Sequence, residues 1–462
     1  MASTNINQNF IIIALLCKLR HKQKKNMKLK IGSSKIVKPS HDGNPPLTTS
    51  CMPLSVFDKV TYDQHVAVIY AYRPPTPPNA TIELGLRRAL AVYREWAGRL
   101  GKDSSGEPII LLNDEGVRFV EAFVDRALDE TVTFKPSSSL LSLHPDLEGI
   151  VELVQVQVTR FSCGSMVVGF TAHHLVADGN ATSNFLVAWG QASRELEINP
   201  LPFRDRKIFS PRNPPKFDFE HRGVEYITEN FKKVYPLINN SVDDIVTHRV
   251  HYDPEFISKL KARASSMNGT DKPYSTFESL VAHLWRAITK ARGLNGLETT
   301  QVKVSVDGRA RLNPKVPNAY FGNLVLWAFA KAKVEDLLRN PISYAAKLLH
   351  EAVIDVNDKY FKSFIDFANH KVRQEHLVPN AVADTQESIL WPNLEVDSWL
   401  RFPFYDLDFG GGAPYIFMPS FSPTEGMLFL LPSFVGDGSI DVFVPLFQEN
   451  LSTFKQICYS LD

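Results

Sequence analysis

A buried strand, a polar loop and the start of a helix follow one another between residues 166 and 189, and this order constrains the fold more than any other stretch of the chain. The apolar run at 166–170 predicts the strand, and the loop after it contains His174 and Asp178. A histidine at the end of a buried strand, facing a loop, is held rigidly beside an open site, as a general base must be. A hydrogen-bonded histidine without a catalytic role is an equally good interpretation of this loop alone.

The length and composition of the chain are those of a protein with two globular domains. Its 462 residues exceed what one hydrophobic core usually supports. Hydrophobic and charged fractions of 44% and 22% are ordinary for a soluble protein, and a net charge of +1 gives no electrostatic reason to expect a nucleic acid or a membrane as partner. The four cysteines form no CxxC pair, which argues against a disulfide scaffold and a zinc site and fits a reducing compartment.

Composition shifts along the chain suggest where the domains begin and end. Residues 1–26 hold an apolar run too short to span a membrane, followed by basic residues in the wrong order for a secretory signal. We expect a disordered extension, with a weak membrane anchor as the alternative. Residues 198–225 are rich in proline and predict a crossover linker. This linker would join an N-terminal domain at 27–197 to a C-terminal domain at 226–462.

Local patterns in both domains predict a mixture of helices and strands. Apolar residues recur at helical spacing over 81–100 and again over 275–292, where Ser275 or Thr276 is a plausible N-cap with a glutamate at the capping-box position. Turn-forming residues at 113–116 predict a hairpin. The chain is therefore expected to belong to the α/β class.

A second motif lies near the end of the chain, where Asp408 and Phe409 precede three consecutive glycines. Alone this run is weak evidence, since it lacks the spacing and the following helix of a dinucleotide-binding turn. Together with the loop at 173–179 it resembles the HxxxD and DFGWG motifs of the plant BAHD acyltransferases, which move acyl groups from coenzyme A thioesters to alcohols or amines. The resemblance covers nearly the whole chain from Met27 and includes matching stretches at 96–100, 306–311 and 320–323.

The resemblance implies both a fold and a reaction. The fold would be an α/β, two-domain chloramphenicol-acetyltransferase-like fold, with each half a mixed sheet flanked by helices and an active-site tunnel at the domain interface. Gly411 stands where the family usually has Trp, and together with residues 417–420 it looks like the branch that acylates amines such as agmatine, putrescine or tryptamine. We therefore expect a cytoplasmic monomer that transfers a hydroxycinnamoyl group, for example p-coumaroyl, from coenzyme A (CoA) to agmatine or a related amine.

Other functions are kept as alternatives. The acceptor could instead be putrescine, tryptamine, tyramine or an alcohol. A protein of another class, which binds small molecules on this fold without catalysis, is the more distant alternative, although it would have no reason to keep His174. A serine hydrolase is disfavoured because the chain has no GxSxG elbow.

The chemistry and the resemblance together assign roles to the motif residues. An acyl-CoA thioester is already activated, so the reaction needs a base for the attacking amine and the positioning of two substrates. His174 is the expected base, whereas His173 should point to the opposite face of its strand. By resemblance, Asp178 turns away from the site and pairs with an arginine, here Arg309, and Asp408 supports the two domains and the CoA channel. The resemblance implies no metal and no cofactor, since acyl-CoA is a co-substrate.

Two carboxylates are candidates for binding the acceptor. Glu395 and Asp397 lie two residues apart on a predicted strand and would share one face of it. Two such carboxylates need a cation or water to offset their repulsion, so one or both would receive the distal cation of a polyamine-like acceptor. A guanidinium would suit a bidentate contact and favours agmatine. A solvated strand face is the alternative interpretation.

The residues that would bind CoA are suggested by resemblance only. The phosphates of CoA need hydrogen-bond donors, and the candidates are Ser275, Thr276, Arg309 and Arg311. For the two arginines, an ion pair inside the fold is an equally good interpretation.

Overall fold

Two six-stranded sheets, each flanked by helices, form the centres of the two halves, and a two-stranded and a three-stranded sheet accompany them in the described residues. The computed structural model describes residues 28–41, 50–135, 137–146, 149–228, 241–266, 272–383, 388–420 and 424–461. The predicted α/β fold class with a mixed sheet in each half is confirmed. The extension predicted at 1–26 lies outside the described residues.

The strands and helices are numbered along the chain within these described ranges. The strands are β1 Leu29–Val37, β2 Ser50–Pro53, β3 His65–Tyr72, β4 Arg99–Lys102, β5 Pro108–Leu112, β6 Val117–Val124, β7 Val154–Phe161, β8 Met166–His173, β9 Tyr226–Thr228, β10 Ile245–Tyr252, β11 Thr299–Asp307, β12 Val325–Lys333, β13 Leu377–Pro379, β14 Leu394–Ser398, β15 Ile416–Pro419, β16 Met427–Pro432 and β17 Ile440–Phe447. The helices are α1 Val56–Lys59, α2 Asn79–Val92, α3 Leu128–Thr131, α4 Gly179–Ser193, α5 Pro254–Ser265, α6 Thr276–Arg292, α7 Val334–Arg339, α8 Ile342–Asp355, α9 Asp358–His370, α10 Asn380–Ala383 and α11 Gln448–Ile457. None of these helices is long and apolar enough to cross a membrane.

The first sheet has the strand order β1-β6-β7-β8-β3-β15. Five of its strands come from the first half of the chain, but β15 comes from the second half and pairs antiparallel with β3. Helices α2 and α4 pack against each other, and Leu86 and Trp189 on them are fully buried in the core of this half. The domain predicted at 226–462 therefore contributes one strand to the sheet of the other half.

The second sheet has the strand order β10-β17-β16-β14-β11-β12. Its strand β14 runs parallel to both of its neighbours, β11 and β16. Helix α6 packs on this half with Trp285 fully buried, and its start shows the predicted capping box, with Ser275 as N-cap and Glu278 as the partner. The C-terminal end of α6 is closed by Gly293 with a φ of 62°, in the left-handed region that favours glycine.

The helix predicted over 81–100 is too long. Helix α2 ends at Val92, a 3₁₀ turn follows at Arg94–Ala97, and the chain then enters β4. The apolar stripe misled the prediction because its members, including Tyr93, stay buried after the helix has ended. Gly98 follows this turn at a close approach to β5, where a Cβ atom would lie 2.2 Å from the carbonyl oxygen of Leu111.

The hairpin predicted at 113–116 is also wrong. Strand β5, before the turn, pairs with β2 and β4 in a small three-stranded sheet, whereas β6, after the turn, pairs with β1 and β7. The turn thus connects two sheets. Local turn chemistry was interpreted correctly, but it does not determine which strands become partners.

The crossover predicted at 198–225 packs against both halves of the molecule. Arg206 Nη1 donates a 2.5 Å hydrogen bond to the buried carboxylate of Asp58 in the first half. Arg212 forms an ion pair of 2.6 Å with the buried Asp366 of the second half. The segment therefore ties the halves together, and the exact domain limits remain a prediction.

Candidate active site

A cavity of about 2250 Å³ opens between the two halves of the molecule. His174 lines it from the first half, and strands β11 and β14 line it from the second half through Lys303, Glu395 and Asp397. Pockets for one small ligand usually measure about 300–1,000 Å³. The cavity therefore has room for two substrates at once.

His174 lies one residue beyond the end of β8, and its backbone is held on both sides. Its N–H donates to the carbonyl of Gln64 at 2.9 Å, and its own carbonyl accepts from Nδ2 of Asn323 at 3.0 Å. The side chain is half-buried at the cavity wall. A fixed backbone beside an open space is the placement that a general base requires.

The hydroxyl of Thr61 forms a hydrogen bond with one ring nitrogen of His174 and so helps to orient the ring. Thr61 Oγ1 lies 3.1 Å from His174 Nδ1. When Nδ1 carries the proton and donates it to Thr61, Nε2 keeps its lone pair and can accept a proton from a substrate. Thr61 is therefore a positioning residue, to which no sequence pattern pointed.

A buried network behind the loop holds Asn323 in place. The backbone N–H and Nδ2 of Asn323 both donate to Asp58 Oδ1, at 2.8 and 3.0 Å. The other oxygen of this fully buried carboxylate accepts the hydrogen bond from Arg206. The position of the His174 loop thus depends on the second half of the chain and on the crossover.

His173 occupies different surroundings from its neighbour in sequence. Its ring is buried edge-on against His65, with the centroids 4.6 Å apart, and its Nε2 lies 3.4 Å from Asp63 Oδ1. Burial lowers the pKa of His65 to about 4, with the nearby His173 as a second cause. Although His173 also borders the cavity, these contacts fit a structural residue better than a base.

The Asp178 carboxylate is fully occupied within the fold. Each of its oxygens accepts one backbone N–H, from Ala181 at 2.9 Å and from Leu324 at 3.0 Å, and one N–H of the Arg309 guanidinium, at 3.0 and 2.8 Å. Asp178 is thereby the N-cap of α4 and forms an ion pair in which both side chains are 3% exposed. A carboxylate with four donors around it holds structure and has no free lone pair directed at a substrate.

The prediction that Arg309 binds CoA is contradicted by the same geometry. Besides Asp178, its guanidinium donates to Asp307 and to the carbonyl oxygens of Tyr320 and Gly322. Burial lowers the pKa of Arg309, but the charges of Asp178 and Asp307 outweigh burial and leave the pKa raised. Its Nη donors are used inside the fold and its Nε is buried without a partner, so these donors are not available to a phosphate.

Asp408 lies at the far end of the same helix that begins at Asp178. Its Oδ1 accepts the N–H groups of Gly410 and Gly412 at 2.7 and 2.9 Å, and its Oδ2 lies 3.4 Å from Nη1 of Arg194, just after α4. The backbone of Asp408 also passes close to Gly190 of α4, where a Cβ atom would be 2.8 Å from its carbonyl oxygen. Asp408 does not line the cavity and supports the helix instead.

Gly411 is required by a close backbone approach. A Cβ atom at this position would lie 2.3 Å from the carbonyl oxygen of Pro75. The glycine run therefore docks on the proline-rich segment after β3, and a tryptophan cannot occupy position 411 in this arrangement.

Glu395 is buried in the cavity wall and already has a cationic partner. Lys303 Nζ lies 3.0 Å from its Oε1, and the Tyr62 hydroxyl donates to its two oxygens at 2.9 and 3.0 Å. In the parallel pairing of β11 with β14, Lys303 and Glu395 are directly opposite each other. The charge of Glu395 is thus offset within the protein.

Asp397 has one hydrogen-bond partner in the described residues, the hydroxyl of Ser305 at 2.6 Å. It borders the cavity and is half-buried. Burial raises the pKa of the Asp397 carboxyl and the charge of Glu395 raises it further, whereas Ser305, His174 and Lys303 act in the opposite direction. The ionised form of Asp397 would therefore be stabilised by a bound cation, and the carboxylate lies within electrostatic reach of the imidazole of His174.

Three of the residues suggested for CoA border the cavity at another place. Ser275 and Thr276 lie at the start of α6, and Arg311 is half-buried nearby. The Ser275 hydroxyl is used by the capping box, since it donates to Glu278 and accepts the N–H of the same residue. Burial lowers the pKa of Arg311, and among the described residues its guanidinium forms no ion pair or hydrogen bond.

Several site residues were not found from the sequence although one pattern pointed to them. Lys303 and Ser305 alternate with valines along β11, so they share the strand face that is turned away from the core. Tyr62 and Trp327, which flank Lys303, show no such local pattern. Within the described ranges, no group of three or more His, Cys, Asp or Glu side chains is arranged to hold a metal ion.

Comparison with known protein sequences gives matches over nearly the whole chain. The model of the Transferase family matches residues 27–461. Agmatine coumaroyltransferase-1 of Hordeum vulgare is 53% identical over 445 residues, which cover 94% of this chain and 100% of that protein. Putrescine hydroxycinnamoyltransferase of Oryza sativa subsp. japonica is 49% identical over 459 residues, with coverage of 94% and 100%. Shikimate O-hydroxycinnamoyltransferase of Nicotiana tabacum is 33% identical over 445 residues.

Solved structures share the fold at low sequence identity. Vinorine synthase superimposes with a TM-score of 0.67 at 22% identity, covering 92% of this chain and 96% of that one. F. sporotrichioides TRI101 complexed with coenzyme A and T-2 gives a TM-score of 0.70 at 17% identity, with coverage of 88% and 97%. The two-domain architecture expected from the motifs is thereby confirmed.

Proposed function

Because the chain belongs to the BAHD transferase family, we propose that it transfers a hydroxycinnamoyl group from its CoA thioester to the primary amine of agmatine or a related amine. The product is a hydroxycinnamic acid amide. The observation that carries the proposal is one cavity in which His174 lies within electrostatic reach of Asp397, a half-buried carboxylate without a cationic partner in the described part of the chain. A base beside an anionic subsite suits an acceptor with an amine at one end and a cation at the other.

The reaction needs His174 to accept one proton and then to release it. The neutral amine nitrogen attacks the thioester carbonyl carbon, and Nε2 takes the proton that the nitrogen loses. The carbon–sulfur bond then breaks, and the proton passes to the leaving CoA sulfur. In this mechanism Nδ1 stays protonated and donates to Thr61, so that Nε2 is the nitrogen that cycles between the two states.

Asp397 is the proposed receptor for the distal cation of the acceptor. A guanidinium can donate two parallel hydrogen bonds to one carboxylate, which favours agmatine over amines with a single ammonium group. Glu395 lines the same end of the cavity, but its charge is already offset by Lys303. Of the two carboxylates, Asp397 is therefore the one that we propose for the distal cation of the acceptor.

CoA is proposed to enter near the start of α6, on the side of Arg311. This arginine has donors that no described residue uses, and Thr276 lies at a helix N-terminus, where backbone N–H groups favour anions. Replacing Arg311 by Met should raise the KM for the acyl-CoA several-fold and leave the KM for the amine unchanged. An unchanged KM for acyl-CoA would remove Arg311 from the site.

The experiment that tests the function measures CoA release from p-coumaroyl-CoA with agmatine, putrescine, tryptamine, tyramine and shikimate. We expect agmatine to give the highest kcat/KM, and His174→Ala to lower kcat by about 10²–10⁴-fold. His173→Asn is the matched control and should keep the activity within several-fold. Turnover of shikimate alone would favour acylation of an alcohol, and no turnover with any acceptor would favour a binding protein.

The role of Asp397 is tested with two amines that differ in their distal group. Asp397→Asn should raise the KM for agmatine by about 10–100-fold, the loss of one hydrogen-bonded charge pair, and should leave the KM for tryptamine nearly unchanged because tryptamine has no second cation. Equal effects on both amines would contradict the assignment.

That the enzyme is a monomer in the cytoplasm stays a prediction, which light scattering and cell fractionation can check.

A further inference from the structure

Lys303 is a cation at the acceptor end of the cavity that the transfer reaction itself does not need. It lies on β11, directly opposite Glu395 on β14. Its Nζ is 3.0 Å from Glu395 Oε1 and donates to the Tyr62 hydroxyl at 2.6 Å. The side chain is 20% exposed, so the ammonium group is held largely out of solvent.

Two aromatic rings complete the surroundings of this ammonium group. The ring centroid of Trp327 lies 4.7 Å from Nζ, and that of Tyr62 lies 5.0 Å away. A carboxylate, a phenol oxygen and two ring faces are the groups that proteins use to bind amine ligands. The chain has therefore placed one of its own cations in a site suited to a cation of the acceptor.

The charges at this end of the cavity leave one carboxylate open to the acceptor. Glu395 and Asp397 are both acidic, and Lys303 is paired with Glu395. No cationic side chain of the described residues forms an ion pair with Asp397, whose partner is the hydroxyl of Ser305. Two negative charges and one positive charge give this cluster a net charge of about −1, which matches an acceptor with one distal cation.

We propose that Lys303 is a specificity-determining residue that restricts the acceptor to amines with a single distal cation. An acceptor with a further ammonium group would bring it towards Glu395, where Lys303 already supplies the positive charge. In a poorly solvated site the two like charges repel strongly, and this repulsion rejects triamines and tetraamines. The inference rests on the proposed function and adds to it a limit on the number of acceptor charges.

The test compares four amines with increasing numbers of cations. Agmatine and putrescine carry one distal cation, whereas spermidine and spermine carry more. In Lys303→Met, which keeps the length of the side chain without its charge, we expect the ratio of kcat/KM for spermidine to that for agmatine to rise about tenfold, equivalent to 1.4 kcal/mol. Lys303→Arg keeps the charge and should keep the wild-type ratio.

Controls separate this role from a purely structural one. Lys331→Met removes an exposed lysine from the neighbouring strand β12, outside the cavity, and should leave the ratio unchanged. Lys303→Gln is a second neutral variant that can still donate a hydrogen bond to Glu395, in case Lys303→Met does not fold. Circular dichroism identifies the variants that fold. The ratio of kcat/KM for spermidine to that for agmatine, measured in a folded neutral variant, then shows whether the charge of Lys303 sets the specificity.

The possible failures are distinguishable. A folded neutral variant with an unchanged ratio, or with an equal loss for all four amines, would reduce Lys303 to an ion pair between strands and overturn the inference. A wild-type enzyme that already prefers spermidine to agmatine would overturn it as well. Absence of turnover with every amine in the wild-type enzyme would instead overturn the proposed function.

Discussion

Replacing Asp178 by Asn tests whether the carboxylate of the HxxxD motif is a structural group. Each oxygen of Asp178 accepts one backbone N–H and one N–H of Arg309. An asparagine has one oxygen, so its amide nitrogen would face two donors, and two hydrogen bonds would be lost. A hydrogen bond to a charged group contributes about 1.5–3 kcal/mol, so losing two should lower the free energy of unfolding by about 3–6 kcal/mol. This agrees with the ~3–5 kcal/mol that is typical of breaking a buried ion pair.

The double variant Asp178→Asn with Arg309→Met separates stability from chemistry. The single variants each leave one buried group without its partner, whereas the double variant removes both charges. We expect its free energy of unfolding, measured by urea denaturation followed by tryptophan fluorescence, to exceed the additive value by about 1–3 kcal/mol. Its kcat should accordingly recover relative to that of Asp178→Asn.

Two outcomes would contradict a structural role for Asp178. If Asp178 transferred a proton, its replacement would lower kcat by about 10²–10⁴-fold, whatever happened to the stability. A double variant that regains stability but stays as inactive as His174→Ala would therefore refute the structural assignment. Additive losses of stability would refute the ion-pair reasoning itself.

Three further perturbations follow from the geometry of the site. Thr61→Val should lower kcat about tenfold at an unchanged KM for agmatine, equivalent to one lost hydrogen bond of ~1.4 kcal/mol, and Thr61→Ser should restore it; equal kcat in both variants would contradict the positioning of His174. Gly411→Ala should lower the free energy of unfolding by about 1–3 kcal/mol because the added methyl group meets the carbonyl of Pro75, and an unchanged urea midpoint would count against this contact. Since burial, followed by the charge of Glu395, raises the pKa of Asp397, its negative charge is lost at a higher pH than that of an ordinary aspartate. The KM for agmatine should thus rise on acidification while that for tryptamine stays flat, and parallel curves for the two amines would argue against this subsite.

The sequence predicted those parts of the structure that depend on neighbouring residues. The strand before His174, the capping box of α6 and the class of the fold were all accessible from local patterns. The helix at 81–100 failed because burial of an apolar stripe continued through a 3₁₀ turn and into a strand. A periodic pattern indicates which residues are buried. It indicates a helix or a strand correctly only where the whole pattern lies within one such element.

Only part of the acceptor site could be predicted, because many of its contacts join residues that are distant in sequence. Glu395 and Asp397 could be placed on one strand face from their spacing alone. The partners of Glu395 could not be identified in this way. Tyr62 is 333 residues away from Glu395 in sequence, and Lys303 lies opposite Glu395 only because of the register of β11 with β14. Strand register is a property of the folded sheet, so the offset of the Glu395 charge became visible only in the structure.

The two sequence motifs act on one helix, and this explains why neither is informative alone. Helix α4 has 15 residues and is therefore about 22 Å long, with Asp178 at its start and the contacts to Asp408 at its end. Asp408 is consequently too far from His174 to take part in the chemistry. Its effect must pass through the position of α4, whose start is joined by Arg309 to the second half of the chain. A change at Asp408 should therefore act on kcat and stability together, in contrast to a change at His174, which should act on kcat alone.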